Sequence, residues 1–220
     1  MTERVLRILL ESFPKLLIPG LLYTIPLTLV SFAIGLVIAV AAALIRVREI
    51  PVLSQIAGFY VWVFRGTPLL VQLFVIFYGL PSAGVYVDAI PSAVIAFSLN
   101  VGAYASETLR GAILAVPNGQ KEAALACGLS CFQTMFHIIL PQAFRASLPA
   151  LFNTFISLVK DTSLAANITV TEMFMTAQRI VAVEYEPLLL YIEVGLLYLL
   201  FCSFLTWLQK KIETNWRAVT

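Results

Sequence analysis

The stretch EAALACGLSCFQTMFHIILP, residues 122 to 141, decides how the rest of the chain is read. Its single charge is Glu122, so by composition it passes for a membrane-spanning helix. Yet Gly128, Ser130, Gln133, Thr134 and His137 interrupt it, and Arg110, Lys121 and Arg145 flank it. The spacing predicts two short helices instead. Asn118 or Gly119 starts the first, and Gly128 ends it in a left-handed cap, where a residue without Cβ meets no steric penalty. Ser130 and Gln133 then stand at the spacing of a capping box that starts a second helix at a new angle. Joined by glycine, the two make a compact elbow over about 118–138, stiff enough to transmit force.

The surroundings of the elbow are apolar. Of 220 residues, 60% are hydrophobic and 12% charged, and the mean hydropathy of +0.94 lies far outside the range of soluble domains. The chain therefore reads as an all-α integral membrane protein. A net charge of +2 gives no footprint for nucleic acid. Cys127, Cys131 and Cys202 are too few for a disulfide framework. Cys127 and Cys131 with His137 lack a fourth metal ligand, so packing is the reading for them.

Working outward, residues 1 to 15 interleave Glu3, Arg4, Arg7, Glu11 and Lys15 with apolar residues. The i,i+4 pairs Glu3–Arg7, Arg7–Glu11 and Glu11–Lys15 predict a short amphipathic helix on the membrane surface. Leu16 to Ile45 then runs 30 residues without a charge, long enough for a first span that starts near Leu21. Ser31, Gly35, Ala39 and Ala43 recur along it at every fourth residue, a small-residue stripe that admits a close neighbour helix. The second span, about Ala57 to Leu80, is bent at Gly66 and Pro68, and a turn-rich connection follows from Tyr78 to Pro91. The third span takes about Pro91 to Val116. The fourth, about Leu140 to Lys160 with a kink at Pro149, is broken by Lys160-Asp161-Thr162-Ser163. Thr171 and Glu172 start a further amphipathic helix, and the fifth span is about Pro187 to Gln209. One domain over 1–220 and five transmembrane helices are expected.

Basic residues orient these spans. Arg46 and Arg48, then Arg110, Lys121 and Arg145, then Lys210, Lys211 and Arg217 share one side, while the connection in the 80s has no lysine or arginine. The basic side is cytoplasmic by the positive-inside rule, which puts the N-terminus outside, the C-terminus inside and the elbow in the cytoplasm.

No G-x-x-x-x-G-K-[ST] occurs, so any ATP that drives the protein is bound, with its magnesium, by another chain. No Ser–His–Asp set, Cys–His pair or carboxylate pair beside a histidine suits an enzyme. The remaining signal is ionisable residues at membrane depth, each of which costs about 2.5 kcal/mol or more at a helix centre. Glu107 and Arg110 are three apart and can pair along one face of the third span, as structural ion pair or as gate. Arg65 can snorkel to the interface or reach Glu107. Asn100 and Tyr104 lie on that span nearer mid-depth, where they can hydrogen-bond a polar solute or hold neighbouring helices. Glu193 stands in apolar surroundings on the fifth span. It faces a watery path, pairs with a basic residue, or binds the ammonium group of a solute. The solute pathway is placed along Asn100, Tyr104, Lys160, Asp161, Thr162, Ser163 and Glu193.

Glu122-Ala123-Ala124, Gly128 and Ile138-x-Leu140-Pro141 together resemble the E-A-A-x3-G-x9-I-x-L-P signature of ABC-importer permeases. The likeness extends through Phe64-Arg65-Gly66-Thr67-Pro68, Leu99-Asn100, Ala103-Tyr104, Glu107-x-x-Arg110-Gly111-Ala112 and Ser157 to Leu164, which are similar to landmarks of the polar-amino-acid branch. Tyr78-Gly79-Leu80-Pro81 and Ile90-Pro91-Ser92-Ala93 resemble the cystine permeases within it. Phe136-His137 and Glu193 depart from the pattern of the branch. The resemblance implies a type I importer in the inner membrane of a bacterium. There Glu122, Ala123, Ala124, Gly128 and Leu129 form a cytoplasmic coupling helix held in a cleft of the ATPase. It also implies an ATPase dimer, a second permease chain, identical or not, and an extracytoplasmic binding protein. The cargo is L-cystine or cysteine, or else arginine, histidine, lysine or glutamine. A secondary transporter or channel, working without ATP, remains the alternative.

Overall fold

The computed structural model describes residues 2–217, with side chains for residues 3–214, and among these every regular element is helical and none is a strand. Helix α1 (Thr2–Pro19) continues into α2 (Ile25–Val47) through a π-helical turn, Gly20–Thr24. A separate surface helix is thus corrected to the first part of one long helix. Pro19 and Pro26 flank the turn, each removing a main-chain donor, and the wider π turn is where the helix absorbs that loss. The apolar face of α1, with Ile8 and Leu16 buried, packs inside the protein. Of the three expected i,i+4 pairs, Arg7–Glu11 forms at 3.5 Å, while Arg4 reaches Glu186 at 3.8 Å.

Ser31, Gly35, Ala39 and Ala43 of α2 are all buried. A Cβ on Gly35 would lie 2.8 Å from Val101 Cγ1 and 3.0 Å from the Ser98 carbonyl oxygen. The small-residue stripe is therefore spent on packing within the chain, and it offers no face to a second copy. Helix α3 (Leu53–Gly66) ends where Thr67, at φ −121° and ψ 147°, takes the extended conformation that the following proline imposes. Helix α4 (Leu69–Phe74) follows, and π and 3-10 turns carry the chain to Ala83. The expected bend is a full break.

Helix α5 (Ala89–Leu114) precedes α6 (Asn118–Ala126) and the three-residue α7 (Cys131–Gln133), which runs through a π-helical stretch, Thr134–Ile139, into α8 (Leu140–Asp161). Pro149 lies within α8 and does not end it. A 3-10 segment, Thr162–Ile168, leads to α9 (Met173–Glu184) and α10 (Pro187–Arg217); the side chain of Arg217 lies outside the described residues. Among the described residues, three helical stretches are long and apolar enough to cross a membrane, Glu3–Val47, Ala89–Leu114 and Pro187–Thr214. The broken pair Leu53–Gly66 and Leu69–Ala83 makes a fourth if counted as one span. Helix α8 has the length, at 22 residues, but Gln142, Arg145 and Asn153 dilute its hydropathy.

Contacts group the chain into two compact units. One comprises Met1–Phe32, Leu69–Phe97 and Phe155–Thr220, the other Ala33–Pro68 and Ser98–Thr154. The first has a core of Leu16, Met173, Ala177, Val194, Leu197 and Phe201, gathered from α1, α9 and α10. The second has a core of Ile113, Ile139 and Ala143, which seats the elbow on the end of α5. Along α10, Leu188, Ile192, Leu196, Leu199 and Phe204 stay exposed at near-helical spacing, an apolar face of the kind lipid tails cover.

Candidate functional site

The elbow has the architecture its residues demand. Leu129 N–H donates to the Ala124 carbonyl at 3.1 Å and Gly128 N–H to that of Leu125 at 3.0 Å, with Gly128 at φ +84°. These are the two bonds of a Schellman cap, which satisfies carbonyls that α6 would otherwise leave open. Beyond it, Gln133 N–H donates to Ser130 Oγ at 3.2 Å and Ser130 N–H to Gln133 Oε1 at 2.9 Å, a complete capping box. Asn118 is the first helical residue rather than the cap, because Pro117 with its fixed φ precedes it. Ala124 turns inward, Leu129 is half-buried, and Glu122, Ala123 and Gly128 are exposed. The elbow thus carries an outer ridge that no element among the described residues covers. Cys127 and Cys131 are exposed, and His137 Nδ1 lies 3.0 Å from the Gln133 carbonyl oxygen.

In the same unit, Glu107 of α5 gathers three guanidinium groups. Arg110 Nη2 is 3.1 Å from Glu107 Oε2 and Arg65 Nη1 of α3 is 3.9 Å from it, while Arg46 of α2 hydrogen-bonds Oε1. Arg65 also lies over the ring of Tyr104, 5.4 Å from its centroid. One carboxylate thus joins α2, α3 and α5. In the sequence Arg46 matters only for its sign; its place beside Glu107 comes from tertiary structure. Asn100 Nδ2 is 3.5 Å from the Phe64 carbonyl oxygen, and Tyr60 Oη donates to that of Leu99 at 2.5 Å. Both fix α5 to α3.

The Lys160–Ser163 break belongs to the other unit. Thr162 is fully buried and donates to the Val159 carbonyl at 2.7 Å, and Ser163 donates to that of Lys160 at 2.7 Å. Lys160 is exposed and Asp161 half-buried. Tyr78 Oη donates to the Asn167 carbonyl at 3.1 Å, pinning the 3-10 segment. Glu193, also in this unit, is 7% exposed and takes Ser12 Oγ at 2.5 Å. Its partner is a hydroxyl on α1, not a basic residue.

Glu172 is a buried cap that the sequence does not announce. It is fully buried and accepts from the N–H groups of Phe174 and Met175 at 2.8 and 2.7 Å and from Tyr198 Oη at 2.8 Å. Burial pushes its carboxyl up, and those hydrogen bonds oppose the shift. Thr171-Glu172 signalled the helix start in the sequence, but not that the cap would be sealed from water.

Residues 34–218 match the family described as binding-protein-dependent transport system inner membrane component. The chain belongs to this family. Among its relatives, the L-cystine transport system permease protein TcyB of Bacillus subtilis is 52% identical over 204 residues, covering 92% of this chain and 87% of TcyB. A solved amino acid ABC transporter with histidines superposes with a TM-score of 0.87 at 33% identity, over 94% of this chain and 96% of that one. The inward-facing MetNI methionine ABC transporter, at 21% identity and a TM-score of 0.79 over 96% of this chain and 99% of its own, shares the fold. As a family member the chain is a transport subunit, and the elbow signature falls inside the matched region.

Proposed function

We propose that this chain is the permease subunit of an ATP-driven importer that carries a polar amino acid, L-cystine first among the candidates, across the inner membrane of a bacterium by alternating access. The 52% identity to an L-cystine permease over 92% of the chain carries the reading. In this proposal five helices span the membrane, with the N-terminus outside and the C-terminus inside. The exposed ridge at Glu122, Ala123 and Gly128 docks in a cleft of an ATPase, which holds ATP and magnesium. Two permease chains enclose the pathway, and an extracytoplasmic binding protein delivers the cargo. Asn100 and Tyr104 of α5 are the pathway residues in one unit. In the other, at Lys160–Ser163, the exposed Lys160 ammonium is the partner for a substrate carboxylate, since the Thr162 and Ser163 hydroxyls are taken by main-chain carbonyls. Glu193, already bonded to Ser12, ties α10 to α1 and is left out of the route.

The experiment is uptake of labelled L-cystine by cells expressing the chain with its ATPase and binding protein, with unlabelled arginine, histidine and glutamine as competitors. Saturable uptake displaced by cystine, and abolished when the ATPase nucleotide site is disabled, is the expected result. Uptake that survives that lesion would instead mark an ATP-independent transporter or channel.

A further inference from the structure

We propose that the inner side of the elbow is a binding site for an anionic phospholipid, whose phosphate sits between Arg48 and Lys121. Between α6, the Cys131–Ile139 stretch and the ends of α2 and α5 lies a cavity of about 680 Å³, larger than packing defects in a folded interior. Its polar lining is one-signed: Arg48 and Lys121 carry positive charge, Asn118 adds an amide, and no carboxylate lines it. Among the described residues neither cation forms a salt bridge; Arg48 lies over the ring of Phe132, 5.9 Å from its centroid.

A second observation is independent of charge. Thr134 also lines this cavity, is 1% exposed, and its hydroxyl has no hydrogen-bond partner. A buried hydroxyl left in that state is destabilising, and a phosphate or glycerol oxygen supplies the acceptor or donor it lacks. The remaining wall is apolar, with Val47, Ile113, Met135 and Ile139. Two cations and an amide beside an apolar wall match an anionic headgroup and the adjoining part of its acyl chains. A free amino acid or nucleotide leaves the apolar part unfilled. The location at the ends of two spans sets the cavity at headgroup level, where basic pockets bind acidic lipids.

The test uses the full chain in nanodiscs of phosphatidylcholine containing phosphatidylglycerol, released for native mass measurement. One phosphatidylglycerol retained per chain in preference to phosphatidylcholine, with at least tenfold lower retention in the Arg48→Gln, Lys121→Gln double variant, is expected. Thr134→Val provides a second arm that keeps side-chain shape. If a lipid occupies the site this change lowers phosphatidylglycerol retention several-fold. If the site is vacant it only raises the melting temperature, by removing an unsatisfied hydroxyl, and that result overturns the proposal. Equal retention of the two lipids, or equal retention by wild type and double variant, also overturns it. Displacement by free glycerol phosphate would assign the pocket to a soluble phosphate ester instead.

Discussion

Gly128 and Gly35 are required for opposite reasons, and substitution separates them. A Cβ at Gly128 meets nothing within 4 Å, so the cost of Gly128→Val is conformational. A left-handed β-branched residue loses about 1–2 kcal/mol, which is local to the elbow. In the reconstituted importer, uptake and binding-protein-stimulated ATP hydrolysis should fall while the spans remain folded, with Gly128→Asn closer to wild type. Normal coupling in Gly128→Val would deny the elbow its role. At Gly35 the obstacle is steric, since Val101 stands 2.8 Å from the added Cβ. Gly35→Ala should destabilise by about 1–3 kcal/mol. Gly58, also helical but with nothing within 4 Å of its added Cβ, should gain up to about 1 kcal/mol as alanine. Melting temperatures in detergent should therefore move in opposite directions for the two glycine-to-alanine changes.

Among the elements, α9 depends most on one side chain. Glu172 satisfies two of its first N–H groups and, through Tyr198, binds it to α10. Glu172→Ala removes a cap worth about 1 kcal/mol and leaves the Tyr198 hydroxyl without that acceptor, at a cost of about 1–3 kcal/mol. Hydrogen exchange at Phe174 and Met175 should accelerate tenfold or more, while Glu172→Gln, which retains an acceptor oxygen, should show a smaller effect. Unchanged protection in the alanine variant would mean that α9 is held by its core contacts with Leu16, Val194 and Phe201. The elbow behaves differently as an element. Its helix ends are satisfied by local bonds from residues two to five apart, so its shape is set before any long-range contact forms.

For the whole molecule, the number of chains follows from what one chain can enclose. The three or four helical stretches long and apolar enough to span among the described residues are too few to surround an amino-acid pathway and shield it from lipid. The buried stripe on α2 is not the contact surface, which leaves exposed apolar faces such as Ile56, Phe59 and Trp62 of α3 for a partner chain or for lipid. Native mass measurement of the purified importer should give two permease chains for two ATPases. One permease chain per active complex would refute this arrangement.

Local rules made part of this protein legible from the sequence. The glycine cap, the capping box, the break at Gly66-Thr67-Pro68, the end of α8 at Asp161 and the start of α9 after Glu172 each depend on neighbours a few residues apart, and each stands where the residues put it. Long apolar runs likewise announced a membrane protein, because burying so much apolar surface needs no partner specified by sequence distance. Tertiary structure decided the rest. Hydropathy does not reveal that α1 continues into the first span and buries its apolar face on α9 and α10, since an amphipathic stripe fits a lipid surface as well as a protein core. Nor does spacing along one helix show that Arg46 and Arg65 converge on Glu107, that Ser12 takes Glu193, or that the stripe at Gly35 is filled by Val101. Those pairings join residues from 42 to 181 positions apart, and only the packing of whole helices brings such groups within reach.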